Sequence, residues 1–180
     1  MAPFRLSSAV IASFVRLTGD TRSEMVSRFA KCFHEHADKI MDSQTSVYGY
    51  AAPVLEVLKS AGIHSGVVST KLNYRVLNIL RKNCLDQFFH VIVGGDDVVH
   101  TKPDPEALVL ALKRLGVDSA KSFYVGDYIV DGEAARKAGV KFVAVLSGRY
   151  GRDAFATIPH LAILENLKDL PGFLDLVKTT

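Results

Sequence analysis

The chain has 180 residues, of which 48% are apolar and 23% charged, with a formal net charge of +3. That length suits one well-cored domain with a small appendage. No apolar run nears the roughly 20 residues of a spanning helix, and no dense basic block speaks for nucleic acid, so neither a membrane nor a nucleic acid is expected as partner. Cys32 and Cys84 lie far apart without a C-x-x-C or a Cys/His cluster, which indicates neither a disulfide framework nor a zinc site. They read as buried thiols in a cytoplasmic protein.

From Leu6 to about Ile40 the periodicity is helical. Val10, Phe14 and Leu17 share one face, and Met25, Phe29, Cys32 and Phe33 share another after the Gly19-Asp20-Thr21 break. Arg5 and Arg16 flank the apolar patch Ala9 to Val15 closely, and Ser7 and Ser8 ahead of it with Gly19 behind suit a capped helix better than a signal peptide. His34-Glu35-His36 has metal-ligating residue types, but positions i and i+2 of a helix point to different sides, so a solvated helical face is the expectation.

From about Tyr48 the patterns alternate: helix 53 to 61, strand 64 to 70, helix 72 to 83, strand 90 to 94, helix 104 to 115, strand 122 to 126, helix 129 to 138 and strand 141 to 146. A short apolar segment, Leu161 to Leu164, and a closing helix after Pro171 follow. Alternation of this kind predicts an α/β fold, a Rossmann-like parallel sheet with helices on both faces. The division expected is a small helical unit over 1–46 and a Rossmann-like core over 47–180.

The most informative stretch is S-F-Y-V-G-D-Y-I-V-D-G-E-A-A-R-K-A-G, from Ser122 to Gly139. It reads as strand, acidic loop and helix, and brings Asp127 and Asp131 to the carboxyl edge of the sheet, where two carboxylates suit a hard divalent cation such as Mg2+. Taken alone, Asp127 and Asp131 could instead cap the helix and favour its first turn. Two further segments favour a phosphate site. G-V-V-S-T-K at 66 to 71 ends a strand in hydroxyls at Ser69 and Thr70, and T-K-P-D-P-E at 101 to 106 sets Lys102 ahead of a proline-initiated helix. Hydroxyl donor, ammonium and metal-binding carboxylates are the parts phosphoryl chemistry needs. Lys71 and Arg75 are candidates to touch a substrate anion, with a solvated helix face as the plainer reading, and Gly94-Gly95-Asp96-Asp97 reads as a tight turn after a strand.

Through V-V-S-T-K, V-I-V-G-G-D-D-V, K-P-D-P-E and Y-V-G-D-Y-I-V-D the chain resembles the haloacid dehalogenase-like hydrolases, most closely their phosphoglycolate phosphatase and pyrophosphatase branch. The resemblance implies a Mg2+-dependent phosphomonoester hydrolase acting on a small phosphorylated metabolite through a phospho-aspartate, and makes the helical unit over 1–46 a partial helical cap beside a hydrolase core over 47–180. It makes Ser69 the hydroxyl that binds the transferring phosphoryl group, with Thr70 and Lys71 beside it, and Lys102 the charge-neutralising lysine. Asp127 becomes the Mg2+ ligand, and Asp131 supports the metal directly or through water. The family's D-x-D-G-T segment, which carries nucleophile and acid/base on the central first strand, has no counterpart in this sequence, and Tyr128 stands where relatives carry a small polar residue. A catalytically inactive binding relative is therefore the competing expectation, and a homodimer is one assembly left open. Without the central strand, the strands ending at Ser69 and Asp127 are expected either to pair directly or to receive Phe4 to Val15 between them.

Overall fold

In a computed structural model, residues 8–175 are described. The chain divides into two compact units, Met1–Ser46 and Val47–Thr180. In the first, α1 (Ser8–Thr18) and α2 (Ser23–Gln44) form a helical pair held by the stacked rings of Phe14 and Phe29, 4.6 Å apart. Asp20 closes the turn between them, accepting from the backbone N–H and the guanidinium of Arg22. The inward stripe of α2 carries Ala30 and His34, both buried, while Phe33 is 40% exposed and Cys32 is exposed. The expected stripe through Cys32 and Phe33 is thus rotated by part of a turn, Leu17 of α1 lies outside it at 80% exposure, and His34 faces inward rather than water. Cys84 is exposed as well, so neither cysteine is the buried thiol expected of it. Among the described residues no helix is long and apolar enough to cross a membrane.

The second unit follows the alternating pattern. Its order is α3 (Ala51–Ser60), β1 (Ser65–Val68), α4 (Asn73–Lys82), β2 (Phe89–Val93), α5 (Glu106–Leu115), β3 (Phe123–Gly126), α6 (Ile129–Lys137), β4 (Lys141–Val145), β5 (Ala162–Leu164) and α7 (Leu170–Phe173). Every strand pairing is parallel, with β1 on β2 in one sheet and β3-β4-β5 in another.

The helices show that these two sheets lie side by side. On one face, Val54 and Leu58 of α3 pack with Phe123, Val125 and Val143, while Leu55 of the same helix belongs to the cluster containing Val67 and Ile92. On the other, Leu108 of α5 packs with Phe142 and Ala144, while its Ala107 and Ala111 pack with Val91 and Val93. Val67 and Val68 alternate between these faces, as successive strand residues must. Each helix layer thus spans both sheets, in the order β2-β1 then β3-β4-β5, with β1 and β3 innermost.

No backbone ladder joins β1 to β3, and none of their residues is fully buried, whereas Phe142 to Val145 of β4 are all buried. Direct pairing of the two inner strands is therefore corrected: among the described residues nothing pairs with their facing edges. The expected donor is corrected too. Ser8 to Val15 is helical, because its apolar residues recur at helical rather than alternating spacing and Phe14 has a ring partner on α2. Phe4 to Ser7 lies outside the described residues.

Candidate active site

The carboxyl ends of β1, β3 and β4 carry the site. β1 ends at Val68, and the N–H of Ser69 continues the ladder by donating to Val93 O at 2.9 Å. Ser69 then turns: its Oγ accepts from the N–H of Lys71 at 3.1 Å, so the hydroxyl sits over the opening of α4. Thr70 and Lys71 follow, both exposed. Close approach of the β2 loop fixes this turn, for a Cβ on Gly95 would lie 2.5 Å from Thr70 O. The N–H of Gly95 donates to Lys71 O, and Asp96 caps α4 by accepting from the N–H of Asn73 at 2.6 Å.

Asp97 receives hydrogen bonds from Asn73, the N–H of Gly94 and Arg114. Burial opposes its charge, but those three donors outweigh burial and hold its carboxyl below the usual carboxylate range. Asp96 and Asp97 thus lock the loops, and Asp104 accepts from the N–H of Glu106 at the start of α5.

Lys102 and Asp131, 29 positions apart in sequence, meet at 2.6 Å with side chains 12% and 6% exposed. Tyr124 completes the group. Its hydroxyl accepts from Lys102 Nζ at 3.0 Å and donates to Val68 O at 3.2 Å, which links β3 to the end of β1. Burial would push the Lys102 ammonium down, yet Tyr124 and Asp131 more than compensate and keep it above its ordinary value. The Tyr124 hydroxyl is itself pushed up, chiefly by burial. The second oxygen of Asp131 accepts from the N–H of Tyr128 at 3.0 Å, fixing the loop that carries Asp127.

Asp127 reaches toward the loop after β4. A Cβ on Gly148 would lie 2.2 Å from its Oδ2, so the carboxylate fits only because residue 148 is glycine. Gly126 is constrained in the same way by Asp131, at 2.5 Å from its Cβ. Tyr128 turns its ring onto Tyr150, edge to face with centroids 5.1 Å apart.

The structure therefore brings Lys102 to Asp131 and sets Asp127 two residues ahead of the helix that Asp131 opens. Ser69, Thr70 and Lys71 sit at the end of the neighbouring strand, tied to the group through Val68 and Tyr124. Arg75 lies within α4 beside Tyr74, to whose hydroxyl its Nε donates at 3.2 Å. The sequence reading missed two contributors. Tyr124 lies within a run that local pattern reads only as a strand, and Gly148 has no local signature, because the need for glycine comes from a residue 21 positions earlier. Among the described residues the one group of three or more His, Cys, Asp or Glu with ligand atoms close together is His100, Asp104 and Glu106. There Glu106 already accepts from the N–H groups of Val99 and His100.

Comparison with known proteins agrees with this architecture. The family model described as haloacid dehalogenase-like hydrolase matches residues 7–145. A pyrophosphatase PpaX from Bacillus velezensis is 34% identical over 158 residues, 88% of this chain and 71% of that protein. A phosphoglycolate phosphatase from Pseudomonas syringae pv. tomato is 35% identical over 133 residues, 73% of this chain and 49% of that protein. Among solved structures, a haloacid dehalogenase-like hydrolase from Bacteroides fragilis superposes with a TM-score of 0.80 at 38% identity, covering 89% of this chain and 76% of that one. With the matched region running from α1 through β4 and taking in Ser69, Lys102, Asp127 and Asp131, the chain belongs to the haloacid dehalogenase-like hydrolases.

Proposed function

We propose that this chain carries the phosphate- and metal-binding part of a Mg2+-dependent phosphomonoester hydrolase acting on a small phosphorylated metabolite, in the cytoplasm. The observation that carries the reading is the buried contact of Lys102 with Asp131 beside Asp127, which sets an ammonium and two carboxylates at the carboxyl edge of a parallel sheet. The names of the relatives, a pyrophosphatase and a phosphoglycolate phosphatase, support phosphate esters or anhydrides as the substrate class.

The residues fit Mg2+: the donors are hard carboxylate oxygens, and Gly148 leaves Asp127 space that a side chain would fill. Asp127 would hold the ion directly, and Asp131, whose two oxygens already accept from Lys102 and Tyr128, would support it through water. When bound, the ion supplies positive charge against the phosphoryl oxygens. Ser69 would donate a hydrogen bond to the phosphoryl group from the end of β1. Lys102 stays protonated through the neutral range and would neutralise charge on the same group. The family's aspartate nucleophile has no counterpart among these residues, so the 180-residue chain is expected to bind phosphate without turning it over.

Titration of the chain with orthophosphate in the presence of Mg2+, followed by 31P line broadening, tests this. Weak binding that needs Mg2+ and disappears in Asp127→Asn and in Lys102→Ala is the expected result. Binding that survives both substitutions would overturn the assignment.

A further inference from the structure

The six tyrosines of the chain all gather at the edge of the second unit that carries the site. Tyr48 and Tyr50 precede α3, which runs into β1 and so starts at the carboxyl edge. Tyr74 opens α4 after β1, Tyr124 reaches Lys102, and Tyr128 and Tyr150 follow β3 and β4. Tyr124 and Tyr150 pack against the core cluster around Phe142 and Phe155, but Tyr48, Tyr50, Tyr74 and Tyr128 belong to none of the core clusters, so the fold's interior does not account for their placement.

The rings share one loop with the proposed metal ligand. The Tyr48 hydroxyl donates to Ser147 O at 3.2 Å; Gly148, the next residue, lies against Asp127; and Tyr150, two further on, supports Tyr128. Tyr48 and Tyr50 are stacked, with centroids 5.0 Å apart and planes 7° from parallel, yet Tyr48 remains 58% exposed and Tyr128 37%. Each ring is thus held in place by a partner while still offering apolar surface to water beside the phosphate site. An oriented ring face loses little entropy on receiving another ring, and its hydroxyl keeps the wet edge satisfied.

We infer that Tyr48 and Tyr128 form an aromatic rim that selects phosphate monoesters whose leaving group is a planar aromatic ring over aliphatic ones. This rests on the phosphate site proposed above and adds the class of leaving group. A small aliphatic phosphate would fill the site at Ser69 and Lys102 and leave both rings in water, whereas an aryl or heteroaryl ester would cover them.

The test uses two ligands with the same phosphate head, phenyl phosphate and ethyl phosphate, titrated into the 180-residue chain with Mg2+. Phenyl phosphate should bind about tenfold more tightly, the range that aromatic contacts supply. In the double variant Tyr48→Ala/Tyr128→Ala the ratio of the two affinities should fall close to one, and in Tyr48→Phe/Tyr128→Phe, which keeps both rings, it should persist. Equal binding of the two esters by the unaltered chain would overturn the rim, as would a preference that outlasts the double alanine variant. The two readings fail differently. Ethyl phosphate binding that depends on Lys102 but shows no advantage for phenyl removes the rim alone, while esters that do not bind, or that ignore Lys102→Ala, remove the phosphate site and the rim with it.

Discussion

At the scale of single residues, the pairing of Lys102 with Asp131 decides most about the site. Two charges with side chains 12% and 6% exposed are tolerable together and costly apart. Asp131→Ala should therefore destabilise the chain by about 3 kcal/mol in urea unfolding, and replacing both residues with apolar ones should recover much of that loss. Because the folded lysine titrates above its ordinary value of 10.5, the stabilisation is fully present below that value and is lost as pH rises through the raised one. The stability difference between the chain and Lys102→Met should accordingly be flat across neutral pH and shrink only in strong alkali. Asp97 has the opposite sign. Its carboxyl is held below 3.8, so its contribution is present above that value and lost as pH falls through the lower folded one. Asp97→Asn should flatten the acid limb of the stability profile and leave the alkaline limb alone.

At the scale of elements, the loops after β1, β3 and β4 are built around close backbone approaches. Gly148→Ala would drive a Cβ into Asp127, and the cheapest escape is rotation of that carboxylate. Mg2+ affinity measured by calorimetry should fall about tenfold or more, as when the support of a metal ligand is disturbed, while far-ultraviolet circular dichroism stays unchanged. An unaltered affinity would show that Asp127 does not hold the ion. The Asn73-Asp96-Asp97 ties set the turn that carries Ser69.

At the scale of the whole molecule, the inner edges of β1 and β3 dominate. Strand N–H groups alternate between neighbours, so half of those in β1 point toward β2 and half toward β3. Hydrogen exchange should separate these sets, with gap-facing amides of β1 and β3 exchanging far faster than amides of β4. Unpaired strand edges also recruit strands, so the 180-residue chain should self-associate with rising concentration in sedimentation experiments. Uniform protection across β1, β3 and β4 in a monomer would contradict this picture. On the reading proposed above, in which these 180 residues hold no nucleophile, turnover of an aryl phosphate measured against an intact family member is expected to be lower by several orders of magnitude.

Periodicity and punctuation determined the elements. The strand reading at 122 to 126, the helix that follows it and the short apolar segment at 161 to 164 needed only local pattern, and each has its counterpart within a residue or two. The segments carrying Ser69, Lys102, Asp127 and Asp131 were legible as the ends of strands and the starts of helices, which is where these residues stand. The partners of those residues were not legible. That Lys102 spends its charge on Asp131, that Tyr124 bridges it to Val68, and that Asp127 requires glycine 21 positions later are long-range facts, set by how parallel strands stack their carboxyl ends together. The same holds for α2, whose helical period was legible while the burial of Ala30 and His34 rather than Cys32 and Phe33 was not. Local sequence encodes period and caps, while the side that faces a neighbour is settled only when the neighbour is there.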